Sequence, residues 1–318
     1  MRFLLPFVFF LVFVFPGFAQ VLSPEEARSV VDRVLEASLA RDYWGVWRLR
    51  DFAKGKEHFV EVLFLKGVGF AWKMLGEEEI VHMRFGHSRY VVNLKSGEVE
   101  SVYPLLDFPF VPFEREDLPL LLENYVFDLR EDELALISRW TGKVVRSIVF
   151  GDGGEMIGQR MYAPWGELLA EWRMLYRDVS PDFPWIAQVT RLLELWSARV
   201  SGAGSPEEKV SGPSPFPLPG FVPPGFQLRR AYLLRDDGKK FYGFVYSDGL
   251  RSFILFQSAY PFRVSESSTP RYLQLVQEGG MVRVAAEKGG FYFLLIGGLD
   301  PRVGQEIMQS LLQEGGRE

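Results

Sequence analysis

Short runs with apolar residues at every second position constrain the fold of this chain most. Four of them follow one another at residues 59–65, 70–74, 80–85 and 88–93, separated by only a few residues. Alternation with a period of two is typical of strands, and connections this short join antiparallel neighbours. Four further runs, at residues 133–140, 144–150, 156–162 and 168–175, continue the pattern. The sequence therefore predicts one large antiparallel sheet.

Helices are predicted before, between and after these strands. Ser23 is a suitable N-cap, Pro24 suits the first helical position, and Glu26 completes a capping box. Apolar residues then recur at helical spacing as far as residue 39, and residues 118–123 and 186–197 also suit helices. A leading helix followed by many antiparallel strands predicts a curved sheet packed on helices.

A stretch rich in Gly, Ser and Pro at residues 201–224 interrupts the periodic pattern and predicts a linker. It separates a larger domain, residues 20–200, from a smaller one, residues 225–318. In the smaller domain an Asp248-Gly249 pair between two strand-like runs predicts a tight hairpin turn. A strand at residues 291–298 and a helix opening at Asp300-Pro301 follow, which makes this domain an antiparallel sheet with a terminal helix. The overall fold class is α+β.

The first residues indicate export. Residues 3–15 are almost entirely apolar and follow Arg2, and Gly17-Phe18-Ala19 offers a small-residue cleavage site. Cleavage near Ala19 is the favoured interpretation, and an N-terminal membrane anchor is the alternative, although the run is short for one. The chain has no cysteine, so neither disulfides nor a lipid attached to cysteine can form.

Three motifs in the second half of the chain carry a family resemblance. Val222-Pro223-Pro224-Gly225-Phe226, Tyr246-Ser247-Asp248-Gly249-Leu250 and Gly298-Leu299-Asp300-Pro301 occur in this order. In order and composition they resemble motifs in the C-terminal domain of the RseB/MucB family. The order of elements in the first domain, with Gly166-Glu167-Leu168-Leu169, is similar to the LolA/LolB fold.

The resemblance implies a function. RseB/MucB proteins are periplasmic regulators of envelope-stress signalling, so the implied partner is the extracytoplasmic domain of an anti-sigma factor similar to RseA or MucA. A lipid or lipoprotein in the first domain is the implied signal. A periplasmic lipid or lipoprotein carrier of the LolA type is the alternative, and an unrecognised hydrolase is a third class.

Strand alternation assigns residues to a candidate ligand-binding face. Apolar aromatic and thioether side chains are predicted to share one face of the first sheet, where they would form either a solid core or an apolar cavity for acyl chains. The candidate residues are Phe70, Trp72, Met74, Met83, Phe85, Trp172 and Met174. His82 and Arg84 are predicted to point away from this face.

Candidate partner-binding residues lie in the second domain. They are Tyr246 in the hairpin, and Arg229 and Arg230, which flank the first strands of this domain. Residues 213–318 carry 12 Lys and Arg against 10 Asp and Glu, whereas residues 3–212 carry 23 against 31. The arginines could therefore dock the acidic first domain, bind an acidic partner, or simply form a solvated surface.

No catalytic constellation is evident. The sequence contains neither a Gly-x-Ser-x-Gly elbow nor a P-loop, and without cysteine it offers no thiol nucleophile or thiolate metal site. Solvated surface charge accounts for its neighbouring carboxylates. His58, His82 and His87 could fall on adjacent strands, but a metal site there is disfavoured. The sequence predicts a binding protein that is not an enzyme and uses no cofactor or metal.

Overall fold

The computed structural model describes residues 20–52, 54–85, 88–104, 109–163, 166–179, 184–202, 208–209, 216–236, 238–262, 274–278 and 281–314. Residues 1–19 and His87 lie outside these ranges, so cleavage near Ala19 stays a prediction. Within the ranges, no helix is long and apolar enough to cross a membrane.

The first helix, α1 (Pro24–Ser38), begins as its capping residues predict. The Ser23 hydroxyl accepts from the backbone N–H of Glu26, and the Glu26 carboxylate accepts from the backbone N–H of Ser23. This reciprocal pair satisfies two N–H groups that a helix start leaves unbonded. The helix buries Ala27, Val31, Val34 and Leu35 against the first sheet.

Twelve described strands form the first sheet, which is antiparallel, curved and open. In chain order they are β1 (Gln20–Val21), β2 (Tyr43–Asp51), β3 (Lys56–Leu65), β4 (Gly69–Met74), β5 (Ile80–Phe85), β6 (Ser88–Asn93), β7 (Val99–Pro104), β8 (Tyr125–Arg130), β9 (Glu133–Ser138), β10 (Val144–Phe150), β11 (Met156–Tyr162) and β12 (Leu168–Asp178). Their spatial order is β1-β8-β9-β10-β11-β12-β2-β3-β4-β5-β6-β7. The predicted strands are thus confirmed, and β2 joins β12 to β3 at the middle of the sheet.

Helices cover both faces of this sheet. On the concave face lie α1, a short 3-10 helix (Arg115–Asp117) and α2 (Leu118–Asn124). On the opposite face α3 (Pro184–Gly202) covers β4 and β5 with Ile186, Val189 and Leu193. Both faces of this half of the sheet are therefore buried, which affects how strand alternation must be interpreted.

The second domain is a seven-stranded antiparallel sheet with a terminal helix. Its strands are β13 (Glu208–Lys209), β14 (Gln227–Asp236), β15 (Lys239–Ser247), β16 (Ser252–Ser258), β17 (Gln274–Glu278), β18 (Met281–Lys288) and β19 (Phe291–Gly297), followed by α4 (Pro301–Glu314). Their order is β13-β14-β15-β16-β19-β18-β17, and α4 packs on one face through Ile307, Met308 and Leu311. The α+β class is confirmed.

The end of the predicted linker lies against this second sheet. The Phe216 ring contacts the rings of Tyr242 and Phe291 at centroid distances of 5.3 and 5.2 Å. Gln257 donates to the carbonyl of Pro217 (2.8 Å), and Phe221 donates its backbone N–H to the Ser310 hydroxyl (3.1 Å). Residues 216–224 therefore belong physically to the second domain.

Candidate binding cleft and domain interface

The segment that crosses the concave face fills its centre. Residues 109–125, here called the bridging segment, run over the sheet between β7 and β8. The ring of Phe110 lies 5.6 Å from that of Trp47, 6.0 Å from that of Trp72 and 5.4 Å from that of Trp172. Gln159 on the sheet below donates to the carbonyl of Pro109 (2.8 Å) and holds the segment there.

The structure brings five of the seven candidate face residues to this concave side. Phe70, Trp72, Trp172 and Met174 all pack with its core, and Met74 pairs across the strand with Val60 of that core while remaining 42% exposed. Because Phe110 covers Trp72 and Trp172, this part of the face is a filled core. Phe70 lies nearer the edge, where the filling ends.

Met83 lies on the opposite face, which corrects the assignment made from the sequence. Cross-strand partners point to the same side of a sheet, and Met83 pairs with Ala71 whereas Arg84 pairs with Phe70. Met83 is fully buried under α3. Phe85 occupies the last position of β5, and its side chain is outside the described part of the structure.

The same pairing brings His82 and Arg84 to the concave side, against expectation. His82 pairs with Trp72, and their rings lie 5.6 Å apart. The Arg89 guanidinium donates to the imidazole Nδ1 at 3.2 Å. Burial first, and then the charge of Arg89, lower the pKa of His82 to about 4. The imidazole is therefore neutral at physiological pH and serves as an acceptor beside the aromatic core.

An open cleft of about 720 Å³ remains at the edge of the filled region. It lies between the end of α1, the turn from β3 to β4, and the start of the bridging segment. Its apolar lining includes Leu35, Leu39, Phe64, Phe70, Val111 and Phe113, and Glu36, Lys66 and Arg115 are exposed at the rim. The Phe64 and Phe70 rings lie 4.6 Å apart and form one wall. The volume is within the range of small-molecule sites.

One cationic side chain reaches the interior of this cleft. The Arg84 side chain is 11% exposed and donates to the carboxylate of Glu114, which is 34% exposed. Gly69 lets the backbones of β4 and β5 lie close together here, because a Cβ there would lie 2.7 Å from the Arg84 carbonyl oxygen. The cleft is thus an apolar groove with a paired guanidinium in its wall.

The hairpin between β15 and β16 inserts into the first domain. Strand pairing ends at Ser247 and Ser252, so the connection has four residues and is not the predicted two-residue turn. Asp248 is 2% exposed, and its Oδ1 accepts from the backbone N–H groups of Leu250 (3.0 Å) and Arg251 (2.7 Å). These local bonds confirm the expected turn role of Asp248, and Leu250 is buried in the core of the first domain.

Asp248 also bonds across the interface. Its Oδ2 accepts from the Tyr125 hydroxyl at 2.7 Å and from two nitrogens of Arg251 at 3.0 and 2.8 Å. Burial first, and then the Asp248 charge, raise the pKa of Tyr125, so its hydroxyl stays a donor. Asn124 donates to the backbone carbonyls of Asp248 (3.0 Å) and Gly225 (3.1 Å). The end of the bridging segment thus holds the hairpin by buried polar bonds.

Two glycines of the sequence motifs permit this close approach. Gly249 has φ +96°, and a Cβ there would lie 2.8 Å from the backbone nitrogen of Leu121 and 3.0 Å from Cβ of Leu120. Gly225 has φ +83°, and its Cβ would lie 2.5 Å from Oδ1 of Asn124. Both positions require glycine for backbone conformation and for contact with the first domain.

Arg229 and Arg230 also reach the first domain. Arg229 lies 3.4 Å from the Asp117 carboxylate and donates to the carbonyl of Glu116 at 2.9 Å, and Arg230 lies 2.6 Å from the Glu116 carboxylate. Burial first raises the pKa of Asp117, to about 6, against the opposing effect of Arg229. The sequence left open whether these arginines dock the first domain, bind an acidic partner or form a solvated surface. In the structure they contact the acidic first domain.

Tyr246 is buried within the second domain. It is 4% exposed and stacks on Phe253 with ring centroids 4.8 Å apart. Burial raises its pKa to about 12. It therefore supports the hairpin from inside its own domain and presents no surface to a partner.

Four interface residues of the first domain were not predicted from the sequence, because no local motif distinguishes them. They are Glu116, Asp117, Asn124 and Tyr125.

Comparison with known proteins gives structural neighbours only. No family model matches the sequence, and no curated protein matches it. The complex of Pseudomonas aeruginosa MucA and MucB is 14% identical, with 89% of this chain and 96% of that chain covered and a TM-score of 0.47. A crystal structure of MucB is 12% identical, with 90% and 97% covered and a TM-score of 0.46.

A further solved structure matches a shorter part of the chain. A LolA superfamily protein from Nitrosomonas europaea is 12% identical, with 50% of this chain and 94% of that chain covered and a TM-score of 0.27. The solved structures that resemble this chain therefore include MucB, from the RseB/MucB family that the sequence motifs resemble, and a member of the LolA superfamily.

Proposed function

We propose that this protein is a periplasmic regulator of the RseB/MucB type, which binds the extracytoplasmic domain of a membrane-bound anti-sigma factor and shields it from regulated proteolysis. One observation carries the proposal: residues of two of the three motifs that resemble this family, Gly225 in the first and Asp248, Gly249 and Leu250 in the second, lie at the contact between the two domains. Gly225 and Gly249 each touch the first domain so closely that a Cβ would overlap it.

This observation links the resemblance to a two-domain protein. A turn that only reversed the chain would need Gly249 for its backbone conformation alone. Here the same turn buries Asp248 and Leu250 against the first domain. The motif is therefore explained by domain docking, which a single-domain carrier does not require. MucB itself has been solved in complex with MucA, and by analogy the partner of this chain is an anti-sigma factor.

The cleft supplies a place for a signal. Its apolar walls can accept an acyl chain of a lipid or lipoprotein, for which Leu, Val and Phe side chains provide the contact. A ligand changes partner affinity only if it binds one domain arrangement more tightly than another. The interface of polar and ionic contacts between the domains is the element whose equilibrium such a ligand would shift.

The same cleft supports a second candidate function, carriage of lipid or lipoprotein. A carrier binds its cargo stoichiometrically and needs no protein partner of the anti-sigma class. A regulator binds that partner with cargo absent. The two functions therefore differ in what the cargo-free protein binds.

The test uses the purified mature chain, stripped of lipid, and the extracytoplasmic domain of the anti-sigma factor encoded in the same genome. Saturable binding by calorimetry, together with slower cleavage of that domain by a limiting protease, is the expected result. Arg230→Ala removes an ion pair between the two domains. Arg302→Ala, at the exposed start of α4, is the matched control. If the protein did not bind the anti-sigma domain but still bound lipoprotein, the carrier function would replace the regulatory one.

A further inference from the structure

The Arg84–Glu114 pair gives the cleft an unusual internal wall. A guanidinium that is 11% exposed faces apolar side chains, and its carboxylate partner belongs to the bridging segment and is not on the sheet. A buried charge must be paired, so some anion has to stay close to Arg84 in every state of the protein. Glu114 supplies that anion when the cleft holds no ligand.

The class of ligand follows from this wall and its surroundings. Leu35, Leu39, Phe64 and Phe70 offer surface for an alkyl chain, and Arg84 offers a charge-assisted hydrogen bond to a carboxylate or phosphate. A neutral chain would fill the apolar part but leave the ion pair unchanged. An anionic amphiphile can do both, because its head group can take the place of the Glu114 carboxylate.

Glu114 is joined directly to the domain interface. The next residues of the bridging segment, Glu116 and Asp117, hold Arg230 and Arg229 of the second domain. Farther along, Leu121 meets Gly249, and Asn124 bonds to the hairpin backbone. One continuous stretch of chain therefore lines the cleft at one end and carries the contacts to the second domain at the other.

We propose that the cleft binds an anionic amphiphile whose head group replaces Glu114 on Arg84, and that this exchange moves the bridging segment and weakens docking of the second domain. The proposal rests on the proposed function only in treating the cleft as the ligand site. It adds the chemical class of the ligand, the residue that the ligand displaces, and the stretch of chain that links the cleft to the interface.

The experiment measures binding and domain separation in the same protein. The chain has no cysteine, so Asp152→Cys and Gln309→Cys, both at exposed positions in different domains, give two unique attachment points for spin labels. Myristate is the anionic probe and 1-monomyristoylglycerol the neutral one. Myristate is expected to bind saturably and to lengthen the distance between labels, whereas the neutral probe leaves that distance unchanged.

Glu114→Gln removes the internal competitor while keeping the side-chain size. The variant is expected to bind myristate about ten-fold more tightly, the change that loss of one competing charged hydrogen bond predicts. Glu36→Gln is the matched control: Glu36 lies on the same cleft but is 75% exposed, 3.9 Å from Arg115. Because such exposed pairs contribute little, its myristate affinity should change less than about two-fold.

Each other outcome overturns part of the proposal. If myristate does not bind saturably, the cleft is not the ligand site. If Glu114→Gln and the unaltered protein bind myristate with equal affinity, the head group does not replace Glu114 on Arg84. If myristate binds without changing the distance between labels, binding is not coupled to domain docking. Since the labelled protein contains no anti-sigma factor, none of these results depends on whether the partner binds, and the calorimetry above tests that separately.

Discussion

Replacing Gly249 by alanine tests whether this turn docks the two domains. Its φ of +96° is unfavourable for an L residue, and the new Cβ would lie 2.8 Å from the Leu121 nitrogen and 3.0 Å from the Leu120 Cβ. The backbone conformation costs about 1–2 kcal/mol. Overpacking against α2 costs about a further 1–3 kcal/mol, and this second cost arises only in the docked arrangement of the domains.

Gly238 provides the matched control. It also has a positive φ, +73°, in the turn between β14 and β15, but no atom lies within 4 Å of where its Cβ would be. Gly238→Ala therefore carries the backbone cost without the collision. The two variants should lose similar stability within the second domain, and only Gly249→Ala should lose docking.

The expected difference in docking is large enough to measure. A penalty of about 1–3 kcal/mol lowers the docking equilibrium constant roughly 5–150-fold. Spin labels at positions 152 and 309 report the docked fraction, and urea unfolding reports the stability of each variant. If both alanine variants kept the same label distance as the parent, or if both shifted it equally, the role of Gly249 in docking would be refuted.

Three further changes have defined outcomes. Asp248→Asn removes the carboxylate that pairs with Arg251, and urea denaturation should show a loss of about 2–4 kcal/mol in the free energy of unfolding. Phe110→Ala leaves a cavity between three tryptophans, so the free energy of unfolding should fall by about 3–5 kcal/mol in the same urea experiment, with a red shift in tryptophan emission. Burial raises the pKa of Asp117 to about 6 from 3.8, so the docked state binds its proton more tightly. Docking should therefore strengthen as pH falls from 7 towards 4, and Asp117→Asn should flatten that dependence of label distance on pH.

Strand alternation predicted the elements and assigned β4 and β12 to the correct face, but it assigned β5 to the wrong one. The run at residues 70–74 became β4, which begins one residue earlier at Gly69, and the run at residues 80–85 became β5. Met83 was nevertheless assigned to the wrong face, since α3 buries the far side of the same strands. Alternation distinguishes a buried face from a solvated one, so it gives no answer where both faces are buried.

The turn at residues 246–250 shows a related limit. Asp-Gly correctly indicated a reversal of the chain and a glycine with positive φ. It did not reveal that the turn is four residues long or that Asp248 is buried against Tyr125. These depend on residues more than 120 positions earlier, and no local pattern contains that information.

Residue patterns along the chain were enough to predict the α+β class, the capped first helix, eight of the twelve strands of the first sheet, and the change of composition at residues 201–224. Local propensity and periodicity set these features, because they depend on neighbours in the chain. Tertiary packing, by contrast, set the position of Phe110 at the centre of the concave face and left a cleft open beside Phe70. It alone also placed Glu114 on Arg84 and Arg230 on Glu116, because packing and charge pairing act between residues that are distant along the chain.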